Sequence, residues 1–359
     1  MEETNKTALF DQVIAEIEPA SEQARADAYA AWGAVAKPLG GLGMLEDIVC
    51  RLAGAQHTAN VVADKRAVAV FCADNGIVEE GVTQSTHEVT TAVTMNLCRK
   101  ATSVCRMAAS AHCDVVPVDV GVLDDIDDPR LRVMKTAHGT ANIAKGPAMT
   151  REQAIYAIEA GMRVARELAE EGCTLLAAGE MGIGNTSSSA AVACALLEAA
   201  PEEMVGRGAG LSSEGLARKV AAVGRALAVN LPDRSDPVDV LAKVGGFDIA
   251  AMCGFYLGAA SKRTPVLLDG VISCVAGLCA TGIAPDALGY LVASHVSTEP
   301  AAHRVLAALG LEAPLHAGMH LGEGTGAVAL MPLIDMTLAV YHDSATFEAT
   351  GIDAYEVLV

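Results

Sequence analysis

The stretch Cys173-Thr174-Leu175-Leu176-Ala177-Ala178-Gly179-Glu180-Met181-Gly182-Ile183-Gly184-Asn185-Thr186-Ser187-Ser188-Ser189 decides how the chain is read. Its first six residues are an apolar run of strand length, the glycines from Gly179 to Gly184 make a loop, and an alanine-rich helix follows to about Ala200. Immediately upstream, Thr150 and Gln153 form a capping box, Ile155, Ile158, Met162 and Ala165 recur at helical spacing, and Gly172 supplies a stop. Helix, strand, glycine loop and helix in that order are the repeating unit of an α/β fold with a parallel sheet.

The alternation continues on both sides. Buried strands are predicted over 67–73 (AVAVFCA), 114–120 (DVVPVDV), 265–269 (PVLLD) and 290–294 (YLVAS). The expected architecture is a mostly parallel, Rossmann-like sheet flanked by helices, with ligands bound beyond the carboxyl ends of the strands. Polar helices fill about residues 1–36 and end at Pro38, and another helix follows Leu330 and runs to His342. The chain ends, 1–40 with 331–359, are therefore expected to form a small helical domain beside a large α/β catalytic domain of 41–330.

Composition narrows the partners. With 44 acidic against 25 basic residues the chain carries a formal charge of −19, the wrong sign for nucleic acid or an anionic membrane surface, so a small molecule is the expected partner. A hydrophobic content of 52% excludes a disordered chain. The apolar runs, such as Val271 to Ala284, stop short of the roughly 18 residues a spanning helix needs, and the start MEETNKTALFDQ lacks the character of a secretory or transit segment. A cytoplasmic location is expected. The ten cysteines are scattered without a Cys-x-x-Cys pair and read as small buried hydrophobes rather than disulfides or metal ligands; the histidines offer no chelating spacing either.

Three constellations carry candidate chemistry. In Gly179 to Ser189, small residues let the backbone approach a ligand closely and a helix N-terminus offers free N–H groups, which suits a phosphate as well as it suits a plain βα turn. Neither a Gly-x-Gly-x-x-Gly fingerprint nor a P-loop ending is present. Glu180 inside that loop would repel an anion, which points to a separate catalytic or ribose-hydroxyl role. In Leu321-Gly322-Glu323-Gly324-Thr325-Gly326, glycines frame a carboxylate expected at the mouth of an apolar pocket, where desolvation makes it a better proton acceptor. The third constellation, Cys72-Ala73-Asp74-Asn75-Gly76, is strand-end turn chemistry first. Lys219 lies one position off the apolar stripe Leu216, Val220, Val223 and Leu227, the place of a solvated lysine; if its helix borders the glycine loop, it becomes a fixed cation for a phosphate. His295, His316 and His320 read as hydrogen-bonded structural histidines.

Through these residues, the chain resembles the nicotinate-nucleotide–dimethylbenzimidazole phosphoribosyltransferases of cobamide biosynthesis from about Lys37 to about Ile352. The carrying motifs, in order, are Lys37-Pro38-Leu39-Gly40-Gly41-Leu42-Gly43, CADNGIVEEGV, GTANIAKGPAMT, GEMGIGNTSSS, DVLAKVGGFDIAAM, PVLLDG and LGEGTGA. The resemblance implies transfer of the 5-phosphoribosyl group from nicotinate mononucleotide to 5,6-dimethylbenzimidazole, giving α-ribazole 5′-phosphate and nicotinate. It implies Glu323 as the base that removes the benzimidazole N–H proton and Glu180 as a second essential carboxylate. Gly182, Asn185, Thr186, Gly208, Lys219 and Ser297 would hold the phosphate and ribose, and Ser85, Val93, Leu321 and Gly322 the aromatic base, with the Gly40 to Gly43 turn nearby. No cofactor and no metal are implied, and a homodimer is expected.

The chain also departs from the family pattern. Val93 stands where relatives place a glutamine, His320 where an arginine often precedes the Leu-Gly-Glu-Gly stretch, and Gly210 where asparagine is frequent; the usual Lys-Pro-Pro-Gly-Ser turn reads Lys37-Pro38-Leu39-Gly40-Gly41. These changes fall on the acceptor side. Transfer to another azole, a purine or a phenolic acceptor therefore stays open, as does a non-catalytic nucleotide-binding partner subunit. With aromatics at only 3%, any aromatic base is expected to rest on aliphatic side chains and Met rather than on stacked rings.

Overall fold

The computed structural model describes residues 8–355; residues 1–7 and 356–359, the outer ends of the expected helical domain, lie outside the described residues. Six strands, β1 (Arg66–Ala73), β2 (Asp114–Gly121), β3 (Arg132–Val133), β4 (Leu175–Met181), β5 (Val266–Leu268) and β6 (Leu291–Ala293), form one sheet. Their order is β3-β2-β1-β4-β5-β6, and every pair is parallel. This is the doubly wound order whose switch point lies between β1 and β4, so the crevice for a ligand opens there.

The apolar side chains of the central strands alternate between two layers. Along β1, Ala67, Ala69, Phe71 and Ala73 enter one layer, and Val68, Val70 and Cys72 enter the other. The strand is buried along its whole length, as expected for a parallel sheet covered on both faces. On the first face the helices Arg151–Glu170 and Phe247–Ser261 touch backbone to backbone: a methyl at Gly161 would lie 1.8 Å from the Ala251 oxygen, and one at Gly254 1.8 Å from the Ile158 oxygen. On the second face lie the helices Glu22–Ala34, Met44–Gln56, Ser103–Ser110 and Thr325–Asp343. The capping box of Thr150 and Gln153 forms as the sequence predicts.

The five predicted strands all form, with three differences. Strand β4 runs on through Gly179, Glu180 and Met181, which the sequence assigns to a loop, because Phe71 and Cys72 of β1 pair with Glu180 and Met181 and this pairing overrides the low strand preference of glycine. The two-residue edge strand β3 has too little pattern to be read. The last long helix starts at Thr325 rather than after Leu330. By length and composition that helix could cross a membrane, but half of it is buried, and Asp335 on it takes a bidentate pair from the buried Arg66 at 2.6 and 3.1 Å. It is a core helix of the second layer.

The chain ends meet in part. Trp32 stacks edge-on against Tyr341 with ring centroids 4.9 Å apart, and Val35 bridges Thr346. The first helix, Ala8–Ala15, lies on the other face, where the Phe10 N–H donates to Glu159 at 3.3 Å. All ten cysteines are free and buried.

Candidate active site

The carboxyl ends of β4, β5 and β6, with Val82 to Gln84 from the segment after β1, surround one cleft of about 200 Å³. Of the residues singled out from sequence, Glu180, Gly182, Asn185, Thr186, Gly208, Lys219, Ser297, Leu321, Gly322 and Glu323 line it. Ser85 and Val93 do not, although Thr83 and Gln84 do; the Gly40 to Gly43 turn is largely exposed and also outside the lining. His320 and the buried His295 are in the wall, while His316 is exposed outside it. Val82, Met181, Ile183, Leu211, Val271, Ile272 and Leu321 supply the apolar lining, and among the described residues no Phe, Tyr or Trp does.

At one end sits a cation. The helix Ser213–Asn230 carries Lys219, which is only 1% exposed rather than solvated; its ammonium donates to Thr186 Oγ1 at 2.8 Å and to the Gly206 carbonyl at 3.1 Å. Burial pushes its pKa down to about 8, against the pull of the Glu299 carboxylate. Gly208 has φ +54, and a methyl there would lie 3.4 Å from the ammonium, so the bare backbone is what lets a ligand reach the charge. Glu299 pins this turn by accepting the Gly208 N–H at 3.0 Å. Arg207 also lines the cleft, but its guanidinium is spent on the Leu211 carbonyl and the Ser213 hydroxyl.

At the other end the loop of Glu323 lies against the strand of Glu180, and glycine is the reason. A methyl at Gly179 would lie 2.3 Å from the Glu323 carbonyl carbon, and one at Gly322 would lie 2.5 Å from Glu180 Oε1. The bare backbone of Gly179 lets the 321–326 loop lie down on β4, and Gly322, at φ +86, makes the turn that passes the Glu180 carboxylate. Glu323 itself adopts φ +60 between two left-handed glycines. Its Oε2 accepts the Val104 N–H at 3.0 Å in the first turn of the helix Ser103–Ser110, so a helix N-terminus holds this carboxylate in place of the expected apolar pocket. Glu180 Oε2 accepts from the Asn185 amide. Burial, then the Asp248 carboxylate, pushes Glu180 up to about 8, while the Asn185 N–H pulls it back.

Asp269 is a site residue that the sequence reading misses, although it stands in the PVLLDG motif at a strand end, where the strand-end rule points. It accepts N–H groups from Gly326 at 2.6 Å and from Gly324 and Ala327 at 3.2 Å, thereby capping the helix Thr325–Asp343 and anchoring the loop that carries Glu323. Burial raises its pKa and the nearby His295 opposes this; burial likewise holds His295 below its ordinary value. Asp269→Ala should cost about 1–3 kcal/mol of stability, read as a lower urea midpoint. Asp248, within the apolar run of DVLAKVGGFDIAAM, and Glu299 give no periodic signal at all. Among the described residues no group of three or more His, Cys, Asp or Glu is placed to hold a metal ion.

A doubly wound sheet with a cleft beyond its strand ends, lined by a buried ammonium from a flanking helix and by the carboxylates of Glu180 and Glu323, has the layout of a nucleotide-binding α/β protein. A family model described as phosphoribosyltransferase matches residues 17–352. The chain belongs to this phosphoribosyltransferase family. It is 47% identical over 322 residues to the nicotinate-nucleotide–dimethylbenzimidazole phosphoribosyltransferase of Acetivibrio thermocellus, covering 90% of this chain and 92% of that one. The protein of the same name from Clostridium tetani is 38% identical and covers 98% of this chain and 97% of its own. The crystal structure of CobT from Thermus thermophilus superposes with a TM-score of 0.89 at 42% identity, over 93% of this chain and 100% of that one.

Proposed function

We propose that this enzyme transfers the 5-phosphoribosyl group of nicotinate mononucleotide to 5,6-dimethylbenzimidazole or a related base, giving the α-ribotide and nicotinate for the lower ligand of a cobamide. One observation carries the reading: the Gly322–Gly324 backbone packs on Gly179 and so brings Glu323 and Glu180 into the lining of the cleft that also holds Lys219. Lys219, Thr186, Gly208, Gly182 and Ser297 hold the phosphate, and Asn185 lies at the ribose. The acceptor rests on Leu321, Gly322 and the aliphatic wall, with Ser85 and Val93 contributing from outside the lining.

The chemistry follows from the two substrates. In the mononucleotide the nicotinate ring is already cationic, so when its bond to the ribose carbon breaks the ring takes the electron pair and leaves without a proton. The acceptor is a weak nucleophile until deprotonated. One of its nitrogens attacks the ribose carbon from the opposite face while Glu323 takes the proton from the other nitrogen, which inverts the β-nucleotide to an α-product. Glu180 lies where positive charge develops on the ribose and stabilises it as a fixed anion.

The two shifted groups set the pH profile. Glu180 acts as the anion, so activity appears as pH rises through its pKa of about 8. Lys219 acts as the cation, so phosphate binding is lost as pH rises through its own value, also about 8. A plot of kcat/KM against pH is expected to be a narrow bell centred near 8, and a flat profile from pH 6 to 9 would remove both roles.

Nicotinate release and α-ribotide formation, followed with nicotinate mononucleotide against dimethylbenzimidazole, adenine and phenol, test the function. Ribotide from the benzimidazole supports it, ribotide from only another base reassigns the acceptor, and no ribotide from any of them rejects it. The same proposal places the enzyme in the cytoplasm, supported by its ten free cysteines, and makes it a homodimer. It also groups the chain ends, 1–40 with 331–359, beside 41–330, supported among the described residues by the contact of Trp32 with Tyr341, while the first helix, Ala8–Ala15, packs on the other face.

A further inference from the structure

Behind Glu180 lies a buried polar cluster that the reaction as written does not use. Asn185, the first residue of the helix after the glycine loop, donates through its Nδ2 both to Glu180 Oε2 and to Asp248 Oδ2, the latter at 2.8 Å. Asp248 is 0% exposed and sits in the first turn of a helix buried on every side. Among the described residues no side chain donates to its other oxygen, Oδ1, and the neighbouring Asn75 Nδ2 is likewise unpaired; the helix N–H groups of Asp248 and Ile249 favour the carboxylate's anion. The Asn75 Oδ1 accepts from the Ser188 hydroxyl at 2.8 Å. A buried carboxylate held by one side-chain donor is costly, and an amide or an apolar residue would fill the same space more stably. One amide, that of Asn185, bridges this carboxylate to Glu180.

We propose that Asp248 is a positioning residue that acts through the Asn185 amide to set both the direction and the charge of the Glu180 carboxylate facing the ribose. The inference rests on the proposed function and adds a residue to it. The amide can point its donor at both carboxylates only while their oxygens converge on it, so Asp248 fixes the Asn185 rotamer and Asn185 fixes Glu180. The other titratable groups around the pair are Asp74 after β1, with His87 facing it, Asp269 after β5 beside His295, and Glu323 on the loop above. All but the two histidines are acidic, so the pair sits in a negative field. When a cationic pyridinium ribotide enters, it relieves that field, and the mononucleotide itself draws Glu180 into its anionic form.

The two partners act on Glu180 with opposite signs, which gives the test. The Asp248 charge disfavours the Glu180 anion and the Asn185 N–H favours it. The pH profile of kcat is measured for the full-length wild type, Asp248→Asn and Asn185→Ala with nicotinate mononucleotide and dimethylbenzimidazole, with circular dichroism and thermal melts as fold controls. Asp248→Asn is expected to move the acid limb down by about one pH unit and Asn185→Ala to move it up. In Asp248→Asn kcat should fall about tenfold at the optimum while KM for the mononucleotide stays within about twofold. If both variants keep the wild-type midpoint, whatever their rates, Asp248 is only structural and the proposal is overturned. If Asp248→Asn does not fold, an unmoved limb in Asn185→Ala overturns it alone, and an upward shift sustains the bridge. A wild type that makes no ribotide defeats the proposed function itself, an outcome distinct from either of these.

Discussion

Glu323→Gln is expected to lower kcat by about 100- to 10,000-fold, the range a positioned general base contributes. The change is isosteric. Its amide cannot take the acceptor proton, yet the glycines at 322 and 324 and the cap from Asp269 still hold the loop on β4. KM for the mononucleotide should move no more than a few-fold, because the phosphate is anchored at the far end of the cleft. An acceptor that ionises unaided near neutral pH should lose less than dimethylbenzimidazole does. An unchanged initial rate in steady-state assays would remove Glu323 from the role of base.

The second large effect is on binding. Lys219→Met removes a charge-assisted contact worth about 1.5–3 kcal/mol, so KM for nicotinate mononucleotide should rise roughly 10- to 150-fold with a smaller change in kcat. Stability should respond the other way. The folded lysine titrates near 8 against an ordinary value of 10.5, so between those pH values the unfolded chain binds the extra proton and the wild type gains stability as pH rises. Urea denaturation at pH 7 and pH 10 should show that gain in the wild type and its loss in Lys219→Met. A KM unchanged by the substitution would place the phosphate elsewhere in the cleft.

Both predictions depend on residues that the sequence makes visible for different reasons. Glu323 stands between glycines and Glu180 between a strand and a glycine loop, and such framing is local, so it can be read one residue at a time. Lys219 is visible only conditionally: its place beside an apolar stripe fits a solvated side chain, and its burial against Thr186 exists because the helix Ser213–Asn230 packs along the glycine-loop helix Asn185–Leu197. Asp248 carries no local signal, since a single acid in an apolar helix becomes meaningful only when Asn185 arrives from another element. Ser85 and Val93 show the opposite case, as motif positions that the fold leaves outside the lining of the cleft.

The sequence by itself determined the α/β class, five of the six strands, the capped helix before β4 and the glycine-framed acids, because period, capping and turn chemistry act over a few residues. The acidic charge of −19 excluded polyanionic partners and was silent about an anionic substrate, since a site is set by local N–H groups and one buried lysine rather than by the sum. Tertiary structure alone decided the strand order, and with it the cleft beyond β4, β5 and β6 where Glu180, Asp269 and His295 converge. It also decided that the loop carrying Glu323 lies against β4 beside Glu180. The physical reason lies in contacts over long sequence separation: Gly179 has no side chain, so the Glu323 backbone, far along the chain, can rest on it.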